Sequence, residues 1–324
     1  MAGPRKKYRS TLKILRAGVY SLIVLFLCWQ VWRVRHGLGD SLDSVGWTTF
    51  ALAAGTTVVG TFPGFFAWRL LITRTGVQLG FSDAAWMYFL SGVTRYLPGA
   101  MWPTVTQAAL AKRSGAPAGK FIAAGLVGMT MTAISGAMVG LLALPRLVAD
   151  DPMWWLMLPI LLCAAVVMLT PRLLRRLLGL GQRLFRRGEH EITLPAGTTS
   201  AGVIALGVLG WCCTGVHVTI IAISLGAPPL PAITLGSGGF ALSTVTGALS
   251  PAPAGLGIRE AMLGLTLGVL IGGPDLVTLL LLSRALTTLG HVAATLGVLG
   301  MLAGTRYVKW RTEKDESSDA LSAG

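Results

Sequence analysis

The sequence predicts an all-α integral membrane protein with six full spans, two re-entrant helical hairpins and both termini in the cytoplasm. Three observations support this prediction: an apolar composition, an uneven distribution of basic residues, and two apolar segments that are interrupted by Pro, Gly and charge. The chain has 324 residues, of which 53% are hydrophobic and 12% charged, and its mean hydropathy is +0.68. Soluble domains carry about a quarter charged residues, so the composition indicates a polytopic membrane protein.

The full spans are predicted from apolar runs of about 20 residues, the length that a bilayer requires. They fall near 14–33, 45–72, 120–144, 153–170, 199–225 and 276–303. The first run follows a basic segment, but no small-residue cleavage site comes after it, so we interpret it as a retained helix rather than a signal peptide. Residues 1–311 therefore form one membrane domain, and the polar segment 312–324 is predicted to be a disordered cytoplasmic tail.

Basic residues set the predicted orientation. With the N-terminus inside, 21 of the 27 Lys and Arg residues fall on inner segments and 3 on outer ones, and the remaining 3 lie at membrane depth. The positive-inside rule favours this arrangement, which predicts a multi-pass protein of the cell inner (plasma) membrane. Part of the inner charge lies in the segment 171–195, where Leu and Phe alternate with Arg as in a helix on the membrane surface.

The same orientation gives the two halves opposite topologies. The first half, 45–144, and the second half, 199–303, each contain a span, an interrupted segment and another span. An inverted repeat of this kind is typical of transporters, whose binding sites lie at the repeat interface near the bilayer midplane. The alternative is that one hairpin crosses as two full spans, which would break the symmetry.

The two interruptions mark the candidate site. One reads Arg95-Tyr96-Leu97-Pro98-Gly99, within 83–111, and the other runs from Pro251 to Glu260, within 232–272. Unpaired backbone groups in hydrocarbon cost several kcal/mol each, so these breaks must face protein or a water-filled cavity. The helix that opens near Gly255 would also direct N–H groups and its positive dipole end toward the second break.

Four ionisable residues remain at membrane depth, namely Arg95, Arg259, Arg284 and Glu260. Such residues are costly in a bilayer and usually mark a substrate or ion pathway. Three guanidiniums and one carboxylate predict an anionic ligand, and arginine suits phosphate through its planar paired donors. The alternative is a structural ion pair, Glu260 with Arg259 or with Arg284; adjacent helical residues do not face each other, which favours Arg284.

Two further histidines lie on predicted full spans. His217 and His291 could relay protons, or could simply hydrogen-bond a neighbouring helix, and the second role is the common one in membrane helices. Cys28, Cys163 and the pair at 212 and 213 have no metal-ligand spacing. Zincin, nucleophile-elbow and phosphate-loop motifs are absent from the sequence, so we expect no enzymatic activity, metal or cofactor. The basic residues are clustered between apolar stretches, which argues against a nucleic-acid partner.

The two interruptions and Arg284 together resemble the lysyl-phosphatidylglycerol synthase transmembrane family, a family of flippase-like membrane domains, over roughly residues 10–305. The resemblance implies a translocase that moves a lipid headgroup between leaflets, with Arg95 and Arg259 as headgroup contacts. Ala100 and Ala254 depart from the family pattern. This sequence lacks the aminoacyl-transferase domain of some members, so we do not expect it to synthesise an aminoacylated lipid.

The predicted substrate is an anionic phospholipid or a polyprenyl-phosphate-linked lipid. The candidate substrate-binding residues are Arg95, Tyr96, Pro98, Gly99, Trp102, Pro253, Gly255, Gly257, Arg259, Glu260 and Arg284. Two alternatives stay open: an accessory membrane subunit that docks a glycosyltransferase or lipid synthase, and a membrane-embedded lipid-phosphate transferase with Glu260 as general base. A lipid-modifying enzyme and a homodimer are therefore also candidate partners.

Overall fold

A computed structural model describes residues 39–96, 101–113, 116–151, 153, 155, 197–250 and 255–322. These residues form helices and no strands. The α-helices, in chain order, are α1 (39–59), α2 (Thr61–Arg74), α3 (Phe81–Gly92), α4 (Trp102–Arg113), α5 (Ala118–Gly140), α6 (Leu144–Asp150), α7 (Gly197–Ser224), α8 (Pro229–Leu249), α9 (Ile258–Leu267) and α10 (Gly273–Ser322). A 3₁₀ turn, Val93–Tyr96, extends α3.

Four stretches are long and apolar enough to cross a membrane: Gly39–Arg74, Ala118–Gly140, Thr198–Ser224 and Gly273–Gly304. They coincide with the four predicted spans that fall on described residues. The predicted spans 14–33 and 153–170, and the basic linker 171–195, lie outside the described residues apart from positions 153 and 155.

Helix α10 continues to Ser322, whereas the sequence predicts a disordered tail over 312–324. The physical reason is local propensity: the segment follows a long helix without Pro or Gly before residue 324, and it carries Glu, Lys and Ala residues that favour helix. The helix therefore extends beyond its apolar stretch into the polar end of the chain.

Helices α1 and α2 of the first long span meet at Gly60, whose backbone is itself helical. The Gly60 N–H still donates to the Thr56 carbonyl at 2.9 Å, so the helical bonding continues through the junction. A Cβ at Gly60 would lie 2.1 Å from Thr214 Oγ1 and 2.8 Å from the Thr214 backbone nitrogen. Glycine is thus required here because α7 packs directly on the backbone of the first span.

The two interrupted segments form helical pairs, α3 with α4 and α8 with α9. Lys120 Nζ donates to the Thr75 carbonyl at 2.7 Å, which brings the end of α2 and the start of α5 together at one end of the molecule. Ser41 Oγ donates to Asp275 at 2.6 Å, which brings the starts of α1 and α10 together at the other end. The first pair follows α2 and precedes α5, so it joins the chain at the former end. The second pair precedes α10, so it joins the chain at the latter end.

Packing between the halves is reciprocal. Helix α3 of the first half contacts α10, the last span of the second, and α8 of the second half contacts α5, the last span of the first. An inverted repeat accounts for this exchange, because each half then places its first hairpin arm against the other half's final span. Membrane sidedness and the re-entrant character of the pairs stay predictions.

Two hydrophobic clusters stabilise the halves. Phe65, Leu71 and Phe121 belong to a cluster built mainly from α2 to α5, and Leu235 and Leu279 belong to one built mainly from α7 to α10. Large apolar side chains are also exposed on the outer surface, for example Leu52 and Leu296 at 65% each. An apolar outer surface is what a bilayer-embedded protein requires.

Substituting Gly290→Ala is expected to lower the melting temperature of the purified protein in detergent. The new Cβ would lie 2.2 Å from Thr57 Oγ1 and 3.2 Å from the Thr57 carbonyl carbon. The Thr57 hydroxyl is itself held by the Leu286 carbonyl at 3.1 Å, so it cannot simply rotate away. Overpacking of this kind costs about 1 to 3 kcal/mol.

Gly297→Ala on the same helix is the matched control, since nothing lies within 4 Å of its Cβ position. Replacing a helical Gly by Ala is itself favourable by up to about 1 kcal/mol. Equal melting temperatures for the two variants would contradict close packing between α1 and α10.

Candidate functional site

The candidate site is organised by one face of α10, near the middle of its apolar stretch Gly273–Gly304. Arg284, Thr287 and His291 are spaced i, i+3 and i+7, which places them on one side of the helix. We call these three residues the α10 stripe. Both interrupted segments bring an ionisable side chain against it, so the two breaks meet on a single helix.

Arg95 reaches the stripe from the first break. It lies in the 3₁₀ turn Val93–Tyr96, its Nη1 lies 2.8 Å from His291 Nε2, and its Nε donates to the Gly92 carbonyl at 3.0 Å. A guanidinium can only donate, so His291 Nε2 must be the acceptor of this bond. Within the described residues, no carboxylate forms a salt bridge with Arg95.

A cavity of about 160 Å³ adjoins the Arg95 guanidinium, between α3, α10 and the start of α2. Its walls combine apolar groups with a few polar ones, and its ionisable lining residues are Arg95, Tyr88 and His291. Val93 and Val292, also in the lining, are 54% and 43% exposed on the surface. The cavity is therefore an amphipathic pocket with a cation at its inner wall and an apolar rim.

The second break is shaped by two glycines with left-handed backbone conformations, Gly255 at φ +68° and Gly257 at φ +83°. Only glycine adopts these angles without strain. A Cβ on Gly255 would also lie 2.7 Å from the Gly247 Cα, so the chain returns against the end of α8 backbone to backbone. These constraints place Gly257 at the start of α9.

Glu260 stabilises the start of α9. One of its carboxylate oxygens accepts the Gly257 N–H at 2.7 Å, and the other accepts from Arg284 Nη1 at 3.1 Å. The side chains of Arg284 and Glu260 are 25% and 14% exposed. The carboxylate therefore satisfies an orphan donor of the helix and ties α9 to the stripe. This is the ion pair that the sequence spacing favours over Arg259 with Glu260.

The side chain of Arg259 leaves α9 on a different side from that of Glu260. Its guanidinium carbon lies 5.0 Å from the centre of the Phe240 ring, within the range of a cation–π interaction, and its Nη2 lies 3.4 Å from Thr287 Oγ1. A cleft bounded by Arg259, Glu260 and Arg284 has no room for a water molecule. Within the described residues, this cleft of the second break is thus filled, whereas the first break has an adjoining cavity.

His217 takes part in packing between helices. Its Nε2 lies 2.8 Å from Ser283 Oγ on α10, and its Nδ1 contacts the Thr214 carbonyl. The ring also meets Phe240 edge to face, with centroids 4.9 Å apart. Both nitrogens are used, which agrees with the interhelical role rather than with a proton relay.

A buried network positions the first helical pair. Trp68 Nε1 donates to Gln107 Oε1 at 2.9 Å, and Gln107 Nε2 donates to Ser91 Oγ at 3.0 Å. These bonds connect α2, α4 and α3 in turn. They hold α4 against the residues that precede the Arg95 turn, and so fix where Arg95 emerges.

Not all of the predicted site residues gather at the stripe. Arg95, Arg259, Glu260 and Arg284 do, and Gly255 and Gly257 shape the second break beside it. Trp102 begins α4 and is 43% exposed, away from the lining of the cavity. Tyr96 ends the 3₁₀ turn, but its side chain lies outside the described residues, as do Pro98, Gly99 and Pro253.

Sequence reasoning missed three contributors as site residues. Thr287 and His291 share the Arg284 face of α10, and their i+3 and i+7 spacing could have identified them. Phe240 lies on a different helix, and nothing in the sequence around it signals an arginine partner. Only the packing of α8 against α9 brings the ring to Arg259.

The family model described as "Lysylphosphatidylglycerol synthase TM region" matches residues 14–295. This match includes both interrupted segments and all three residues of the α10 stripe. No curated protein matches the chain.

Substituting Glu260→Ala is expected to destabilise the protein by about 2 to 4 kcal/mol, because it removes the carboxylate partner of the partly buried Arg284 guanidinium and the acceptor of the Gly257 N–H. Glu260→Gln should cost less, since its amide oxygen can still accept the Gly257 N–H. Thermal unfolding in detergent is the measurement.

Asp150→Asn is the control, as Asp150 is an exposed residue at the end of α6. The double variant Glu260→Gln, Arg284→Gln should recover part of the loss caused by Glu260→Ala. Wild-type stability in Glu260→Ala would refute the structural role of the carboxylate.

Proposed function

Because the chain belongs to the lysylphosphatidylglycerol synthase TM region family, we propose that it is a lipid translocase. It moves an anionic phospholipid or a polyprenyl-phosphate-linked headgroup between leaflets by way of the cavity at Arg95. The family is one of membrane domains, which is compatible with a lipid-related function in the membrane.

The observation that carries the proposal is the environment of Arg95. Placing an arginine at membrane depth costs at least about 2.5 to 3.5 kcal/mol, and within the described residues its side-chain partners include no carboxylate salt bridge. His291 accepts one hydrogen bond, but a neutral imidazole does not offset the charge. An anionic headgroup in the adjoining cavity would do so, and a guanidinium binds phosphate through paired donors.

The α10 stripe also accounts for how a headgroup bound at Arg95 passes to Arg259. Arg95 contacts His291 and Arg259 contacts Thr287, and these two positions are one helical turn, or about 6 Å, apart along the axis. A phosphate held by Arg95 would therefore come within reach of Arg259 after a small displacement. The two breaks enter from opposite ends, so this transfer carries the headgroup from one side toward the other while its chain stays in lipid.

The geometry gives less support to a transferase. Both oxygens of Glu260 are engaged, with Gly257 N–H and with Arg284, so the carboxylate acts as a structural acceptor rather than as a general base. No observation on the described residues favours a docking subunit over a translocase, and that alternative is an outcome of the experiment below.

The test is leaflet exchange by the purified protein in liposomes that contain fluorescent analogues of an anionic phospholipid or a polyprenyl phosphate. We expect the protein to bring analogues from the inner leaflet to the outer one, where a membrane-impermeant quencher removes their fluorescence. Arg95→Gln and Arg259→Gln should each reduce the exchange rate by about tenfold or more, since each removes a charged hydrogen-bond partner of the phosphate. Arg95→Lys should retain part of the rate, because it keeps the charge but loses the paired donors.

Arg74→Gln is the matched control, as Arg74 is exposed in the last turn of α2. Insertion of every variant is checked by its monodisperse elution in detergent. Wild-type exchange in both Arg95→Gln and Arg259→Gln would show the mechanism to be wrong. Absence of exchange by the wild type, with stoichiometric co-purification of a lipid-modifying enzyme, would favour the accessory-subunit alternative.

A further inference from the structure

We infer that His291 is a positioning residue for phosphate binding. Its hydrogen bond orients the Arg95 guanidinium at the cavity wall, and because the imidazole is neutral, it leaves the positive charge of Arg95 to attract a ligand. The inference rests on the proposed function and deepens it at the same site. It concerns the phosphate alone, which an anionic phospholipid and a polyprenyl-phosphate-linked lipid have in common.

The Arg95 guanidinium is held by contacts on two different helices. Its Nε donates to the Gly92 carbonyl at 3.0 Å, and a Cβ at Gly92 would lie 3.2 Å from its Nη2, so the group lies close against the backbone of its own helix. Its Nη1 lies 2.8 Å from His291 Nε2 on α10. The Gly92 contacts are local in sequence, whereas the bond to His291 fixes the guanidinium relative to the α10 stripe.

The bond also defines the state of the imidazole. A guanidinium has five N–H donors and no acceptor, so His291 Nε2 must present its lone pair to Arg95. The ring is then the neutral tautomer with its hydrogen on Nδ1. An imidazolium would direct a second donor at the guanidinium and repel it. In this arrangement His291 is therefore an acceptor without charge.

The other end of the stripe is built differently. Arg284 donates to the Glu260 carboxylate at 3.1 Å, and the same carboxylate accepts the Gly257 N–H at 2.7 Å. Separating a partly buried ion pair is costly because it leaves a charge without its partner. A phosphate that approached Arg284 would have to displace a carboxylate, whereas at Arg95 it competes with an imidazole. One helix face thus holds one arginine for structure and one for a ligand.

An arginine at this place needs an acceptor as well as a charge. The long side chain of a free arginine has many rotamers, and ordering it when a ligand binds lowers the affinity. Arg95 and His291 both line the cavity, so their bond lies at its wall. A phosphate oxygen that reaches this wall meets a guanidinium that is already oriented, and paired donors can bind it without further rearrangement.

Binding of phosphate compounds to the purified full-length protein in detergent tests the inference. Isothermal titration calorimetry would measure the affinity for dioleoyl phosphatidic acid, for a polyprenyl phosphate and for inorganic phosphate. Three substitutions separate the acceptor from its charge: His291→Gln keeps a neutral acceptor, His291→Leu removes the acceptor, and His291→Glu supplies a charged one. The order of the variants tests the inference with each probe, and the probe that binds most tightly identifies the source of the phosphate.

We expect His291→Gln to bind the lipid phosphates nearly as tightly as the wild type. His291→Leu should bind them about tenfold more weakly, the effect of losing one hydrogen bond to a charged group. His291→Glu should be the weakest binder, since its carboxylate would pair with Arg95 and repel the phosphate. Its melting temperature should nevertheless equal or exceed that of His291→Leu, because Arg95 keeps an acceptor. If His291 served packing alone, the affinities would instead follow the melting temperatures.

His217→Gln is the matched control. This histidine contacts Ser283 on α10 at 2.8 Å and is not among the residues that line the cavity. The variant should keep the wild-type affinity for every probe, even where its melting temperature falls.

Wild-type affinity in His291→Leu, or equal affinities in His291→Glu and His291→Gln, would overturn the inference. Should His291→Glu fail to elute as monodisperse protein, the comparison of His291→Gln with His291→Leu decides alone. The expected order of affinities without leaflet exchange by the wild type would support the inference and refute the translocase. Leaflet exchange by the wild type, with equal affinities in all the His291 variants, would refute the inference and support the translocase.

Discussion

The structure depends on one constraint: a membrane helix that is interrupted must find partners for its freed backbone and charged groups within the protein. Among the described residues, the α10 stripe and Glu260 supply such partners at both breaks. Glu260 caps α9 through the Gly257 N–H and holds Arg284, while His291 accepts from Arg95. Because the bonds of Glu260 to Arg284 and of Arg95 to His291 both reach α10, that helix must be held closely by its neighbours, and the packing of Thr57 against Gly290 shows how close it is. Close packing at glycine and threonine residues of the spans keeps the α10 stripe aligned with the side chains that contact it.

Much of this arrangement could be predicted from the sequence, because its causes are local. Apolar runs of sufficient length predicted the four long apolar helical stretches of the described residues, and Pro, Gly and charge located the two breaks. Helical spacing also favoured the pairing of Glu260 with Arg284. The contacts of Arg95 with His291 and of Arg259 with Phe240 could not be predicted, since they depend on how α3 and α8 pack against distant helices. Helix α10 is described to Ser322, in a segment whose polar composition also includes helix-favouring Glu, Lys and Ala residues.

The two tip arginines are held in chemically different ways, although both come from similar breaks. Arg95 is hydrogen-bonded to a neutral imidazole beside an open cavity. Arg259 lies over an aromatic ring in a part of the site that is filled. A phosphate arriving at Arg95 needs to displace little, whereas one arriving at Arg259 must compete with the face of Phe240 and open the packing around Glu260. Among the described residues, therefore, a cavity adjoins Arg95, whereas the cleft bounded by Arg259, Glu260 and Arg284 has no room for a water molecule.

The backbone contact between Gly247 and Gly255 has a consequence for how the second site could open. A Cβ at Gly255 would meet the Gly247 Cα, carbonyl carbon and oxygen at 2.7 to 2.9 Å, so the two arms touch without any side chain between them. Because the contact is between backbone atoms, α9 cannot move closer to α8, and it can move away only by giving up this contact. A movement that uncovers Arg259 therefore either separates the two arms or carries α8 and α9 together against α5, α7 and α10.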